Sequence, residues 1–253
     1  MHKYIEEFSL NALPALYQMS VDGWITRYAE GYTQRSNSVS PIYSGDEICI
    51  EEKILACERF YARAGLDPIF KITPFIQPAN LDEVLEKRGY ETADLSCVQT
   101  LSLDHIKGSH LEHVKVAAEI SDEWMDVYAR FTHLPAEYVT VKRKMLSLPV
   151  LNKAFIILYQ AAEPVACVMG VMEREWLGIY DLVTHPEHRG KGYAEQLVLS
   201  LLQWGKHQGA KHSYLQVLKG NGPAIRLYDK LGYREIYAYW YRVKRGVSGS
   251  FTL

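Results

Sequence analysis

Hydrophobic positions recur along the chain with two periods, and the period switches repeatedly. A helical spacing opens the chain over about Tyr4–Met19. Two strand patterns follow, Trp24–Ala29 and Tyr32–Val39, parted by Gly31; Ser40–Gly45 reads as a loop. Ile50, Ile54, Cys57 and Tyr61 then fall on one helix face, and Gly65 is placed to end that helix. A short strand (Pro68–Thr73), a short helix (Leu81–Tyr90, closed at Gly89) and a strand (Ser96–Leu103) complete the first half. After a polar stretch, Asp104–His113, come a strand (Val114–Ala118), two helices (Glu123–Phe131, Glu137–Leu146) and three strands (Ala154–Tyr159, Pro164–Met172, Trp176–Thr184). The strongest amphipathic helix follows, with Ala194, Leu197, Val198, Leu201 and Trp204 on one side and Gly209 at its end. Strand Ser213–Leu218, helix Pro223–Leu231 and a long strand, Tyr233–Val243, close the chain. Its tyrosines Tyr237, Tyr239 and Tyr241 share one face, which reads as aromatic packing.

The two halves follow one plan. Each has a helix ending at glycine, a strand, and a short helix ending K-x-G-Y, at Lys87–Tyr90 and Lys230–Tyr233; the second copy lies 143 residues after the first. The order of elements favours duplication over chance. The expected class is therefore α/β (α+β), with domains over 1–105 and 112–253. Each would be a mixed, mostly antiparallel sheet flanked by helices.

Composition narrows the function. With 28 Lys+Arg against 30 Asp+Glu the net charge is -2, so nothing in the balance favours a phosphate-backbone binder, and no nucleic-acid partner is expected. No apolar run is long enough to span a bilayer, and the N-terminus lacks the apolar core of a signal peptide. Cys49, Cys57, Cys97 and Cys167 form no C-x-x-C pair and read as reduced small side chains of a cytoplasmic protein. His105, His110 and His113 lack companion ligands at metal spacing, so the stretch reads as a linker and no metal is expected.

The informative chemistry lies between Tyr180 and Tyr233. Arg189, Gly190, Lys191, Gly192, Tyr193 and Ala194 join a strand to a helix N-terminus, where free N–H groups and the helix dipole favour an anion such as pyrophosphate. A dinucleotide fingerprint fails because Glu195 stands where its third glycine belongs, and no Walker loop occurs. Further on, Asn221 or Gly222 can cap a helix whose expected buried face is Ala224, Leu227 and Leu231. Tyr228 borders that stripe and by periodicity alone reads as a core aromatic.

Together, R-x-x-G-x-A (Arg189, Gly192, Ala194) and N-x-x-A-x-x-L-Y-x-K-L-G-Y (Asn221 to Tyr233) resemble the GNAT superfamily of N-acetyltransferases. The resemblance covers about Val114–Val243. The whole chain looks like a tandem form with a degenerate GNAT-like N-terminal half. It implies acetyl-coenzyme A, with pyrophosphate on the Arg189–Ala194 amides, the pantetheine arm along Leu182, Val183 and Thr184 where two strands splay, and a bond from Asn221. Tyr228 would be the general acid.

By strict alternation Ile179, Asp181 and Val183 share one strand face, opposite Tyr180, Leu182 and Thr184. Asp181 could act as base through water or be a salt-bridged strand acid; Glu173 and His185 are weaker candidates. The N-terminal half has acids before its main helix and no R-x-x-G-x-A, so one coenzyme site is expected, in the C-terminal half. Arg35 and Asn37 could bind a carboxylate or amide of the acceptor or satisfy the structure of their own half. The expected function is acetyl transfer to a small-molecule amine, amino-acid-like or polyamine-like, by a monomer or homodimer. The alternatives are a non-catalytic acyl-coenzyme A sensor and a protein or peptide acetyltransferase.

Overall fold

The computed structural model describes residues 2–104, 106, 113–148 and 150–246. The chain divides into two compact units. The first holds the residues up to Cys97, Leu218–Gly220 and the chain from Tyr237 onward; the second holds Val98–Val217 and Asn221–Ile236. The expected 1–105 and 112–253 bounds miss this exchange, in which the last strand counts with the first unit. His105 and His110 lie outside the described residues.

In the first unit, helix α1 (His2–Ala12) stops well short of the expected Met19. Pro14 cannot continue it, and strand β1 (Tyr17–Val21) pairs antiparallel with β2 (Trp24–Tyr28) across Asp22-Gly23. Arg27, buried on β2, donates to the carbonyls of Leu10 in the last turn of α1 and Leu13 just after it. The expected strand Tyr32–Val39 is instead a 3₁₀ turn (Gln34–Ser36) and a two-residue strand, β3 (Val39–Ser40). Helix α2 (Ile50–Arg63) leads from β3 to the parallel strand β4 (Ile69–Ile72). Helix α3 (Leu81–Lys87) and strand β5 (Glu91–Ser102) follow. The strand order here is β1-β2-β3-β4-β11, where β11 is Arg234–Val243. Trp24, Ile54, Cys57, Tyr61, Phe70, Leu81 and Leu85 form a core with no exposed surface, and Trp240 packs against it. Tyr237, Tyr239 and Tyr241 are buried on the other face of β11.

The second unit orders its strands β5-β10-β9-β8-β7-β6, with β6 Val114–Ala117, β7 Asn152–Gln160, β8 Glu163–Glu173, β9 Trp176–Thr184 and β10 His212–Leu218. Helices α4 (Asp122–Thr132) and α5 (Ala136–Leu146) precede β7; α6 (Tyr193–His207) connects β9 to β10, and α7 (Gly222–Leu231) follows. The β9–β10 pair is parallel and its neighbours β6–β7, β7–β8 and β8–β9 are antiparallel. Leu197, Val198, Leu201 and Leu202 bury one face of α6, as its spacing predicts. On α7 the expected stripe is only half-buried, and Tyr228 is the residue taken into the interior.

The repeated K-x-G-Y motif has the same geometry twice. Gly89 and Gly232 adopt φ of 82° and 93°. The following tyrosine N–H returns to the carbonyl of Leu85 in one copy and of Tyr228 in the other, each at 3.0 Å. Leu85 and Tyr228 thus hold equivalent positions.

Candidate active site

The β9–β10 register runs from Trp176–His212 to Ile179–Leu215 and stops there, although both strands continue. The expected splay is present. Because the strands are parallel, their carboxyl ends lie at one end of the sheet, and α6 and α7 both start from that end. Crevices of this kind are where open α/β sheets receive ligands.

The strand that opens is not regular. Asp181 has φ of 54°, and Asp181 and Leu182 together oppose Val168 alone. This β-bulge inverts the alternation assumed above. Tyr180 pairs with Met169 and Val183 with Cys167, so Tyr180 and Val183 share a face. Leu182, Val183 and Thr184 are half-buried.

Asp181 itself is engaged. Lys142 of α5, only 2% exposed, places Nζ 2.6 Å from its Oδ2. The ammonium also lies 4.1 Å from the Tyr128 ring centroid, and Tyr128 stacks on Trp124. Of the two readings of Asp181, the ion-paired strand acid is the one its surroundings support. Lys142 was not singled out from the sequence, yet a signal existed. It sits between Val141 and Met145 on the buried side of α5, where a charge needs a partner.

Helix α6 begins at Gly192, whose φ is 82°; no side chain caps its first turn. Gly190 has φ of 76°, and a Cβ at either glycine would meet nothing within 4 Å. The requirement here is backbone conformation, and the surface stays open to a ligand. Arg189 and Lys191 are exposed, and among the described residues neither side chain has an ion-pair or hydrogen-bond partner. The one acid in the first turn, Glu195, is paired with Lys230 at 2.6 Å. The Tyr193 hydroxyl donates to Gln160. Ala194 is half-buried beneath the first turn. Uncapped amides, unpaired cations and a clear approach fit a pyrophosphate.

Asn221 caps α7, its Oδ1 accepting from the Ala224 N–H at 3.2 Å, and its amide nitrogen stays available. Tyr228 is 7% exposed and lies 5.6 Å, ring to ring, from Tyr233. Its hydroxyl has no hydrogen-bond partner among the described residues. Burial pushes the phenol up to about 12, so it stays protonated across the physiological range. Glu173 and His185 stand at the far end of β8 and just past β9; His185 Nδ1 accepts from the Glu187 N–H.

These features coincide with similarity to known proteins. A family model described as "Probable histone acetyltransferase Rv0428c C-terminal" matches residues 3–242. The chain belongs to the GNAT superfamily of N-acetyltransferases. A GNAT relative, "Uncharacterized N-acetyltransferase YobR" of Bacillus subtilis, is 30% identical over 95% of this chain and 98% of its own. A GCN5-related N-acetyltransferase from Kribbella flavida has a TM-score of 0.72 at 14% identity, covering 96% of this chain and 95% of its own. A tandem GNAT protein from the clavulanic acid biosynthesis pathway gives 0.57 at 14% identity, covering 81% and 75%. As a GNAT acetyltransferase the protein uses acetyl-CoA as donor.

Of the two first-unit candidates, Asn37 has other work. Asn37 is 3% exposed; its Oδ1 accepts from Ala29 and Gly31, and its Nδ2 donates to Thr33. Its amide therefore ties a loop together, which also explains why no strand forms there. The carbonyl of Arg35 accepts from Arg27. Among the described residues no group of His, Cys, Asp and Glu gathers as a metal site, and no helix is long and apolar enough to cross a membrane. Cys57, Cys97 and Cys167 are buried, while Cys49 is exposed.

Proposed function

We propose that this protein transfers the acetyl group of acetyl-CoA to a primary amine of a small molecule, amino-acid-like or polyamine-like, by direct attack in a ternary complex. The uncapped N-terminus of α6, with two partnerless cations where two parallel strands diverge, carries the reading. The coenzyme, when bound, supplies an activated thioester.

The amides from Gly190 to Ala194 would hold its diphosphate, with Arg189 and Lys191 adding charge. The open edge of β9 at Leu182, Val183 and Thr184, and the Asn221 amide, offer hydrogen bonds to its arm. The Val183 N–H is the candidate for stabilising negative charge on the carbonyl oxygen. Tyr228 is the proton donor to the departing thiolate: burial keeps its phenol neutral, and no neighbour competes for its hydrogen. Asp181, held by Lys142, fixes the bulge that turns Val183 to its present face.

A panel of amino acids, polyamines, aminoglycosides and peptides, followed by thiol release, tests this reading. Fast release with small amines is the expected result. Turnover confined to peptides would move the acceptor to a protein. Coenzyme binding without turnover on any amine would favour the sensor.

A further inference from the structure

We propose that a groove in the first unit binds a small carboxylate with an apolar or aromatic body. The groove lies between the β1–β2 hairpin and α2 and has a volume of 690 Å³, within the roughly 300–1,000 Å³ typical of small-molecule sites. Tyr17, Met19, Tyr28 and Phe60 line it with apolar surface, and the Tyr17 and Phe60 rings stack with centroids 6.1 Å apart. Tyr17 is 56% exposed, so its ring is open to a ligand entering the groove.

Arg59 and Arg63 stand one turn apart on the same wall, and no acid lines the groove. Among the described residues neither guanidinium has an ion-pair or hydrogen-bond partner. The nearest acid in sequence, Glu58, faces the other way and is engaged by Tyr90, Arg88 and Lys244. Compensation of the α2 dipole would account for basic residues near its C-terminus. It would require nothing of the aromatic surface beside them. Apolar walls with paired guanidiniums at the rim match an anion that presents a planar carboxylate and buries a ring. The inference does not rest on the acetyl-transfer reading, because every residue in it belongs to the first unit.

Calorimetry on the full chain with 2-naphthoate and with 2-naphthylmethanol, its neutral counterpart, tests the proposal. Naphthoate should bind at least about tenfold more tightly than the alcohol. The Arg59→Gln/Arg63→Gln pair, on an exposed helix face, should erase that difference. Tyr17→Ala should weaken both ligands. Naphthoate and alcohol of equal affinity would overturn the proposal, as would full naphthoate affinity in the double arginine variant or no saturable binding up to the solubility limit. So would a Tyr17-dependent dimer found by light scattering, which would put a second copy in the groove.

Discussion

Two helices in this protein each cross between parallel strands, α2 from β3 to β4 and α6 from β9 to β10, and their N-termini have opposite fates. At α6 the first turn is uncapped and two partnerless cations stand beside it. At α2 no side chain caps the first turn either, but an internal carboxylate stands just ahead of the helix. Asp22, from the β1–β2 turn, accepts from the Ile48 N–H just ahead of the helix and pairs with Lys53 at 2.6 Å. Lys53 also donates to the carbonyls of Asp22 and Gly45, and a Cβ at Gly45 would strike Asp22. The cavity left there is 240 Å³, small beside the roughly 300 Å³ and upward of ligand pockets. Asp46 lines it, and the acids nearby in sequence, Glu47, Glu51 and Glu52, are exposed. One helix end stands open beside unpaired cations, and the other has a paired carboxylate at its entrance. At the corresponding point of the next helix, the second unit carries Tyr228 and the first carries Leu85.

This contrast can be broken in several ways. The largest effect is expected at Tyr228. Tyr228→Phe should lower kcat by roughly 10²–10⁴ with little change in coenzyme affinity, measured by thiol release and calorimetry. An unchanged kcat would remove the phenol from the chemistry and leave the Leu85–Tyr228 difference as packing. Lys142→Met comes next. Stranding Asp181 in a largely buried site should cost about 3–5 kcal/mol in denaturant unfolding. The Lys142→Met/Asp181→Asn pair should recover much of that stability, and a double variant as unstable as the single would refute the ion-pair account.

Arg189→Gln with Lys191→Gln should raise the KM for acetyl-CoA about tenfold or more while kcat holds. The stoichiometry should be one coenzyme per chain, and a second site on α2 would erase the comparison. The smallest effect is at Asp22. Lys53 holds its carboxyl below the ordinary value of 3.8, so its contribution to stability is present above that value and fades as pH falls through the lowered one. Asp22→Asn should flatten the acid limb of thermal stability. A limb unchanged by the substitution would show that the α2 end is not held this way.

Much of the fold was readable because the spacing signals were strong. The α6 stripe, the glycines ending α2, α3, α6 and α7, and the strands β7 to β9 stand where periodicity predicts. The first strand of the N-terminal hairpin was missed although Asp22-Gly23 is a hairpin turn signal, because its apolar residues continue the helical spacing of Tyr4–Met19, while the second strand stands where Trp24–Ala29 predicts. The Tyr32–Val39 segment was misread because one buried amide, Asn37, outweighs its strand-like composition. On α7 the expected stripe is only half-buried, while Tyr228, which periodicity reads as a core aromatic, is the residue taken inside.

The amino-acid order alone determined the repeated K-x-G-Y plan, the glycine-flanked start of α6 and the family, because these depend on local spacing of glycines, cations and apolar residues. Tertiary structure decided the rest. Only the opposing strand reveals the bulge at Asp181, since a bulge is a mismatch between two registers. Only packing brings Lys142 to that carboxylate and Asp22 to the α2 entrance, since both contacts join residues distant in sequence. The last strand's membership in the first unit is likewise a fact of pairing, which spacing within a single strand cannot encode.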